Sequence, residues 1–225
     1  MKTPILVPSS GPDDWRRFLA KPELQWKTGF SARTLAHSWE DSRGLPDEVR
    51  EALEGLLPGP IEPLLIIPEY KVDMPARGAA SQNDIFVLCR AGEELAVIMV
   101  EGKVDEPFGP TLGEWIVNAS EGKKARLSGL CECLRVAPPS DMALRYQLFH
   151  RTASAIIEAR RMRAAYAVML VHSFSPAGLW RDDFSRFVSF LGTDPGNMDA
   201  ISVPGHSDPE LSVAWVAGQS RYLKS

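Results

Sequence analysis

The stretch Leu95-Ala96-Val97-Ile98-Met99-Val100-Glu101-Gly102-Lys103 decides how this chain is read. Its first six residues are a near-continuous apolar run of strand length, the pattern of a strand buried on both faces. The run then ends in Glu-Gly-Lys. Because side chains alternate along a strand, Glu101 and Lys103 project from the same face. A carboxylate and an ammonium at the end of a buried strand are costly unless they pair or perform a task.

Before this run, Ala91-Gly92-Glu93-Glu94 reads as a turn and Ile85-Phe86-Val87-Leu88-Cys89-Arg90 as the other arm of a hairpin. Asp84 heads that arm. In an antiparallel pair the start of one arm lies beside the end of the other, which places Asp84 near Glu101 and Lys103. Two carboxylates and a lysine at one corner suit Mg2+ or Mn2+, hard cations that take carboxylate oxygens and keep several waters. Lys103 would orient one of those waters or help deprotonate it, and the metal would stabilise charge developing on a phosphodiester. The plainer alternative is a strand-end Glu–Lys pair with Asp84 as a turn residue, because short Glu-x-Lys strings recur by chance.

Further out, Ser31 reads as an N-cap for a helix through Ala32 to Glu40, with Leu35 and Trp39 on its apolar face. Asp47 to Leu53 opens a second short helix. Leu64 to Val72 reads as a strand that Pro68 makes an edge or a bulged one. Helical tracts are expected at Leu112 to Val117 and Glu121 to Leu134, followed by a long helix from an Asp141 N-cap to about Arg163. Ala167 to Val171 reads as a buried strand, Asp182 to Leu191 as an amphipathic helix, and Leu211 to Val216 as the last strand. The pattern predicts an α/β domain with a mixed central sheet flanked by helices. We expect one domain over residues 1–225: an N-terminal extension, 1–30, packed on the core; the core, 31–172; and a C-terminal helix and strand, 173–225.

This order of a helix, a strand, an Asp-headed strand, a strand ending in Glu-x-Lys, a helix and a strand resembles the core of the restriction-endonuclease-like, or PD-(D/E)xK, nuclease superfamily. The resemblance runs from about Ala32 to Val171. It implies that Asp84 and Glu101 bind metal and that Lys103 assists the attacking water. It implies further a Glu from the first core helix, matched by Glu40 with Glu51 competing, as a third metal ligand. A supporting Gln or Arg on the helix after the hairpin is matched by Gln147 and Arg151, four apart on one helical face. Asn83 stands where the superfamily often has proline. The run Glu-Gly-Lys-Val-Asp-Glu-Pro-Phe-Gly, residues 101–109, is also similar to one in a group of bacterial proteins of unknown function, which implies no substrate.

Composition bounds the reading. The 225 residues are 44% hydrophobic and 24% charged, with 25 Lys and Arg against 29 Asp and Glu for a net charge of -4, which excludes disorder and a polybasic nucleic-acid coat. Lys123, Lys124 and Arg126 form a local basic cluster that could touch phosphates, and Arg160, Arg161 and Arg163 form another; a solvated helix face is the default for each. Three cysteines, Cys89, Cys131 and Cys133, fit a reducing compartment. The proline-broken start and the short apolar runs predict neither a signal peptide nor a membrane span, so a cytoplasmic protein is expected. Cys131 and Cys133 lack a second pair, and His37, His150, His172 and His206 lack ligand spacing, so no zinc site is expected. The expectation is a Mg2+- or Mn2+-dependent nuclease acting on DNA ahead of RNA, and a homodimer would suit a site that cuts one strand at a time. The expectation from a different class is a non-catalytic module of the same fold that binds protein or nucleic acid.

Overall fold

The computed structural model describes residues 9–76, 78–196 and 199–225; residues 1–8, the start of the expected extension, lie outside them. In chain order a 3-10 turn at Pro12–Phe18 leads to α1 (Pro22–Gln25), α2 (Ser31–Asp41), α3 (Asp47–Leu56), β1 (Ile61–Val72), β2 (Ser81–Ala91) and β3 (Glu94–Lys103). Then follow α4 (Leu112–Ile116), α5 (Glu121–Leu134), α6 (Tyr146–Met162), β4 (Tyr166–Ser173), α7 (Arg181–Phe190), β5 (Ala200–Val203) and β6 (Glu210–Ala217). The strands form one mixed sheet in the order β1-β2-β3-β4-β6-β5. β1, β2 and β3 run antiparallel, β3, β4 and β6 are parallel neighbours, and β5 pairs antiparallel with β6.

The apolar run of β3 is the centre of the sheet, with Ala96 through Val100 entirely buried. Alternation sends its side chains to two cores. Val97 and Met99, with Phe86 of β2, pack beneath α6 against Leu148, Phe149 and Ile156. Ile98 and Val100, with Ile85 and Val87, pack on the other face against Leu35 and Trp39 of α2 and Val49 and Leu53 of α3. Burying each of these large side chains contributes about 1.5–3 kcal/mol, enough to commit both faces. A residue's parity along β2 or β3 therefore determines which helices it meets.

Several boundaries move from where the sequence puts them. The N-cap of α2 is Phe30, and Ser31 is its first residue. Both the backbone N–H and the hydroxyl of Ser31 donate to Glu106 Oε1, at 2.8 and 3.0 Å. α6 starts at Tyr146 and not at Asp141. Asp141 Oδ1 accepts the Ala143 N–H within a turn, while Arg145 bridges to Thr111 and the Tyr146 N–H donates to the Pro110 carbonyl. β2 begins three residues before Asp84, so Asp84 lies inside the strand. β5 was not anticipated. Pro68 does lie on the edge strand, where it removes no ladder donor from a central position. Among the described residues no helix is long and apolar enough to cross a membrane.

Candidate active site

The β2–β3 ladder pairs Ile85 with Val100, so one step further Asp84 and Glu101 stand across from each other. Glu101 and Lys103 share parity with Val97 and Met99 and so point toward α6. Both are buried, with Glu101 3% and Lys103 4% exposed. Lys103 Nζ donates to Glu101 Oε1 at 2.6 Å, and Gln147 Nε2 from α6 donates to the same oxygen at 2.7 Å. Arg151, one helical turn on from Gln147, donates through Nε to Glu101 Oε2 at 2.5 Å. Its Nη2 lies 4.0 Å from Asp84 Oδ1, and its Nη1 donates to Ser81 Oγ at 3.0 Å. Lys103 Nζ also sits 5.0 Å from the centre of the Phe108 ring.

The glycine between Glu101 and Lys103 has a structural reason. A Cβ at Gly102 would lie 3.1 Å from Leu35 Cδ2 and 3.4 Å from Asp84 Oδ2. Without it the Gly102 N–H reaches Asp84 Oδ2 at 2.7 Å and fixes that carboxylate at the strand end.

A third carboxylate enters from β1. The pairs Pro68–Ile85 and Tyr70–Asn83 bracket Glu69 and Asp84, which makes these two neighbours across the ladder. Glu69 has φ 53°, a left-handed backbone that non-glycine residues rarely adopt, and its Oε2 accepts from Gln82 Nε2 at 2.6 Å. Glu69, Asp84, Glu101, Lys103, Gln147 and Arg151 line one cleft of about 400 Å³, which Leu24 and Phe30 close on the apolar side.

A fourth lining carboxylate, Glu106, is already taken up by Ser31 and the Val104 N–H, so Glu69, Asp84 and Glu101 are the three that face the two cations, Lys103 and Arg151. Burial alone would raise the pKa of Glu101, but the charges of Arg151 and Lys103 and their hydrogen bonds outweigh it and hold the carboxyl down at about 2. Asp84 is pushed up to about 7 by burial and by the charge of Glu101, against the pull of Arg151, Lys103 and the Gly102 N–H. Glu69 is pushed up to about 8 by burial and by the charge of Asp84. Fully ionised, the three carboxylates would outnumber the two cations by one, and Asp84 and Glu69 relieve that excess by holding on to their protons up to about neutral pH.

The profile of a domain of unknown function, DUF6946, matches residues 8–220, nearly the whole chain. The chain belongs to the DUF6946 family. No curated protein and no solved structure matches it. In this DUF6946 protein, then, the meaning of the cleft rests on its chemistry.

Of the residues singled out in the sequence, Asp84, Glu101, Lys103, Gln147 and Arg151 come together. Glu40 does not. α2 packs on the opposite face of the sheet; its first residues, Ser31 and Ala32, line the cleft, but Glu40 is nine residues further on, about 13 Å along the helix. Its Oε1 accepts from Ser9 Oγ at 2.5 Å and Trp15 Nε1 at 2.7 Å, in a different cleft, where it ties the N-terminal segment to α2. Glu51 is exposed on α3. The expected metal set of Asp84, Glu101 and Glu40 is therefore not formed, and among the described residues no three His, Cys, Asp or Glu side chains group as a metal cage. What DUF6946 does present is Asp84 and Glu101, with Glu69 in the same cleft, all hard carboxylate donors. Mg2+ is held by one or two carboxylates with waters completing its shell, so this donor set fits it. Glu69 was missed because its backbone conformation leaves no mark in the sequence; carrying the hairpin register one strand further, to the residue after Pro68, would have found it.

The basic residues divide. Lys124 Nζ pairs with Glu121 at 2.8 Å on the exposed face of α5. Lys123 Nζ donates to the Trp115 carbonyl at 3.0 Å, and Arg126 is buried, donating to the Tyr146 hydroxyl and the Ala79 carbonyl. Cys89, Cys131 and Cys133 are free thiols. Burial pushes Cys89 up to about 12, which makes it an inert core residue.

Proposed function

We propose that this protein is a divalent-metal-dependent hydrolase of nucleic-acid phosphodiester bonds, with DNA ahead of RNA as substrate. The observation that carries the reading is the convergence of Asp84, Glu101 and Lys103 with the surplus carboxylate Glu69 in one cleft. A resemblance in element order to the restriction-endonuclease-like core supports it. Asp84 and Glu101 are the residues to hold Mg2+ or Mn2+, which when bound supplies a water of lowered pKa and stabilises charge on the phosphoryl oxygens. Lys103, steadied between Glu101 and the Phe108 ring, holds the attacking water in line. Gln147 and Arg151 position the Glu101 carboxylate, and the Gly102 N–H positions Asp84.

The test is cleavage of single- and double-stranded DNA and of RNA in Mg2+ or Mn2+. Lys103→Ala should lower the rate about 10²–10⁴-fold, the usual size of a lost proton-handling group. Equal rates in wild type and Lys103→Ala would assign the cleavage to a contaminant.

A second reading has its own observation. Arg151 bridges Glu101 and Asp84, so the cluster carries a built-in cation at the place where a metal would neutralise charge. This favours a non-catalytic module that keeps the fold and binds protein or nucleic acid. Under that reading no divalent cation binds saturably.

A further inference from the structure

Beside the carboxylate cleft lies a second cleft of about 480 Å³, and Gln82 and Arg151 line both. Its walls carry Lys123, Arg126, Arg151 and His150, and among the described residues no Asp or Glu lines it. Arg126 is the unusual member. It is 9% exposed, its Nε donates to the Tyr146 hydroxyl at 2.7 Å and its Nη2 to the Ala79 carbonyl at 2.7 Å. Both acceptors are neutral, and no carboxylate among the described residues pairs with it. Elsewhere on the surface cations do have such partners, as in Arg16–Glu23, Arg90–Glu62, Lys124–Glu121 and Arg186–Asp141. A guanidinium withdrawn from water without a counter-charge is costly, and an anion arriving at the cleft relieves that cost. Lys123 extends the positive wall: its ammonium stands 5.2 Å from the centre of the Trp115 ring, which is stacked on Tyr146 at 4.0 Å.

We propose that this second cleft binds a backbone phosphate of the same nucleic-acid strand whose neighbouring phosphate lies at Asp84 and Glu101, with Arg126 and Lys123 as its ligands. The identity of the strand rests on the hydrolase reading; the anion site itself rests on the buried, uncompensated Arg126. The shared wall argues for a polymer over a free anion. Arg151 touches Glu101 on one side and Ser81 on the other, so a strand that crosses it meets carboxylates and a metal first and fixed cations next. This also meets part of the difficulty set by the net charge of -4, because the second half of that path, unlike the first, has no acid among its described lining residues.

The test is binding of a labelled eight-nucleotide single strand, followed by fluorescence anisotropy in chelator so that nothing is cut. Arg126→Gln and Lys123→Gln should each weaken binding about 3–10-fold and reduce the slope of log K against log salt by about 0.7, the loss of one phosphate contact on a single strand. Lys124→Gln, outside the cleft and already paired, should leave both unchanged. Lys123 is exposed, so its variant keeps the fold even where Arg126→Gln does not. Affinity and salt slope equal to wild type in Lys123→Gln, no binding of the strand by the wild type, or displacement of the strand by equimolar inorganic phosphate would each overturn the proposal. A strand bound through Arg126 and Lys123 but never cut in Mn2+ would sink the hydrolase reading and leave this one standing. Cutting that neither substitution slows would do the reverse.

Discussion

Each face of the sheet holds a glutamate in a polar cluster, Glu101 buried on one and Glu48 half-buried on the other, and the two clusters are balanced differently. Beneath α2 and α3, fully buried His172 is held from both sides: Trp39 Nε1 donates to its Nδ1 at 3.2 Å, which leaves Nε2 as the donor toward Glu48 Oε1 at 3.3 Å. Gln219 donates to the other oxygen of Glu48. Burial would raise the pKa of Glu48, but the His172 hydrogen bond, its own backbone N–H and Gln219 bring it down to about 2. Beneath α6, Glu101 is equally well supplied, yet Asp84 and Glu69 stand beside it without enough donors, and both are pushed toward the neutral form. The first cluster is closed and matched. The second opens on a cleft with two carboxyls short of donors, and the proposed hydrolase would fill that shortfall with a bound cation.

Breaking the two clusters should give unequal losses. Arg151→Met removes the guanidinium from Glu101 and leaves a buried carboxylate short of partners, so it should cost about 3–5 kcal/mol in urea denaturation. Trp39→Phe removes one neutral donor from His172 and should cost about 1–2 kcal/mol. A larger loss in Trp39→Phe would reverse the comparison. Asp84→Asn should be neutral or stabilising by up to about 1 kcal/mol in the metal-free protein, because it removes like charge from Glu101 and Glu69. A destabilisation above that would show that Asp84 is a matched structural group.

The same contrast predicts two pH limbs of opposite sign. Glu48, and Glu101 in the other cluster, ionise near 2 in the folded protein, below the ordinary carboxylate range of roughly 4, so the stabilisation from each is complete above that range and is lost as pH falls toward 2. Asp84 and Glu69 ionise near 7 and 8, so between about pH 4 and 8 these two carboxyls bind more protons in the folded protein than in the unfolded chain. Their contribution to stability declines as pH rises through that window, while His150 and His172, lowered by burial, pull the other way below their ordinary range. Thermal melts should show Glu48→Gln removing part of the acid limb, with Glu101 supplying the rest, and Glu69→Gln flattening the alkaline limb. Mg2+ should raise Tm more at pH 8 than at pH 5, since it stabilises the ionised carboxylates.

Much of this arrangement is legible in the sequence. The alternation in Leu95 to Lys103 fixes the sheet centre and the shared face of Glu101 and Lys103, and helical spacing puts Gln147 and Arg151 on one side of α6. Parity is local, and that is why it succeeds. Glu40 failed because the period of α2 shows which residues are buried but not which face of the sheet buries them. Glu69 failed because its left-handed backbone follows from packing on the edge strand, not from residue type. The late start of α6 has a similar cause: the bridge from Arg145 to Thr111 joins residues far apart in sequence and overrides a good local cap at Asp141.

The central claim is that the open cluster takes a cation while the closed one is complete. Isothermal calorimetry with Mg2+ and with Mn2+ at pH 7.5, on wild type and Asp84→Asn, tests it most directly. The account predicts saturable binding to the wild type that Asp84→Asn abolishes. No saturable binding to the wild type, or the same binding to Asp84→Asn, would contradict it and leave Arg151 as the cluster's only cation besides Lys103.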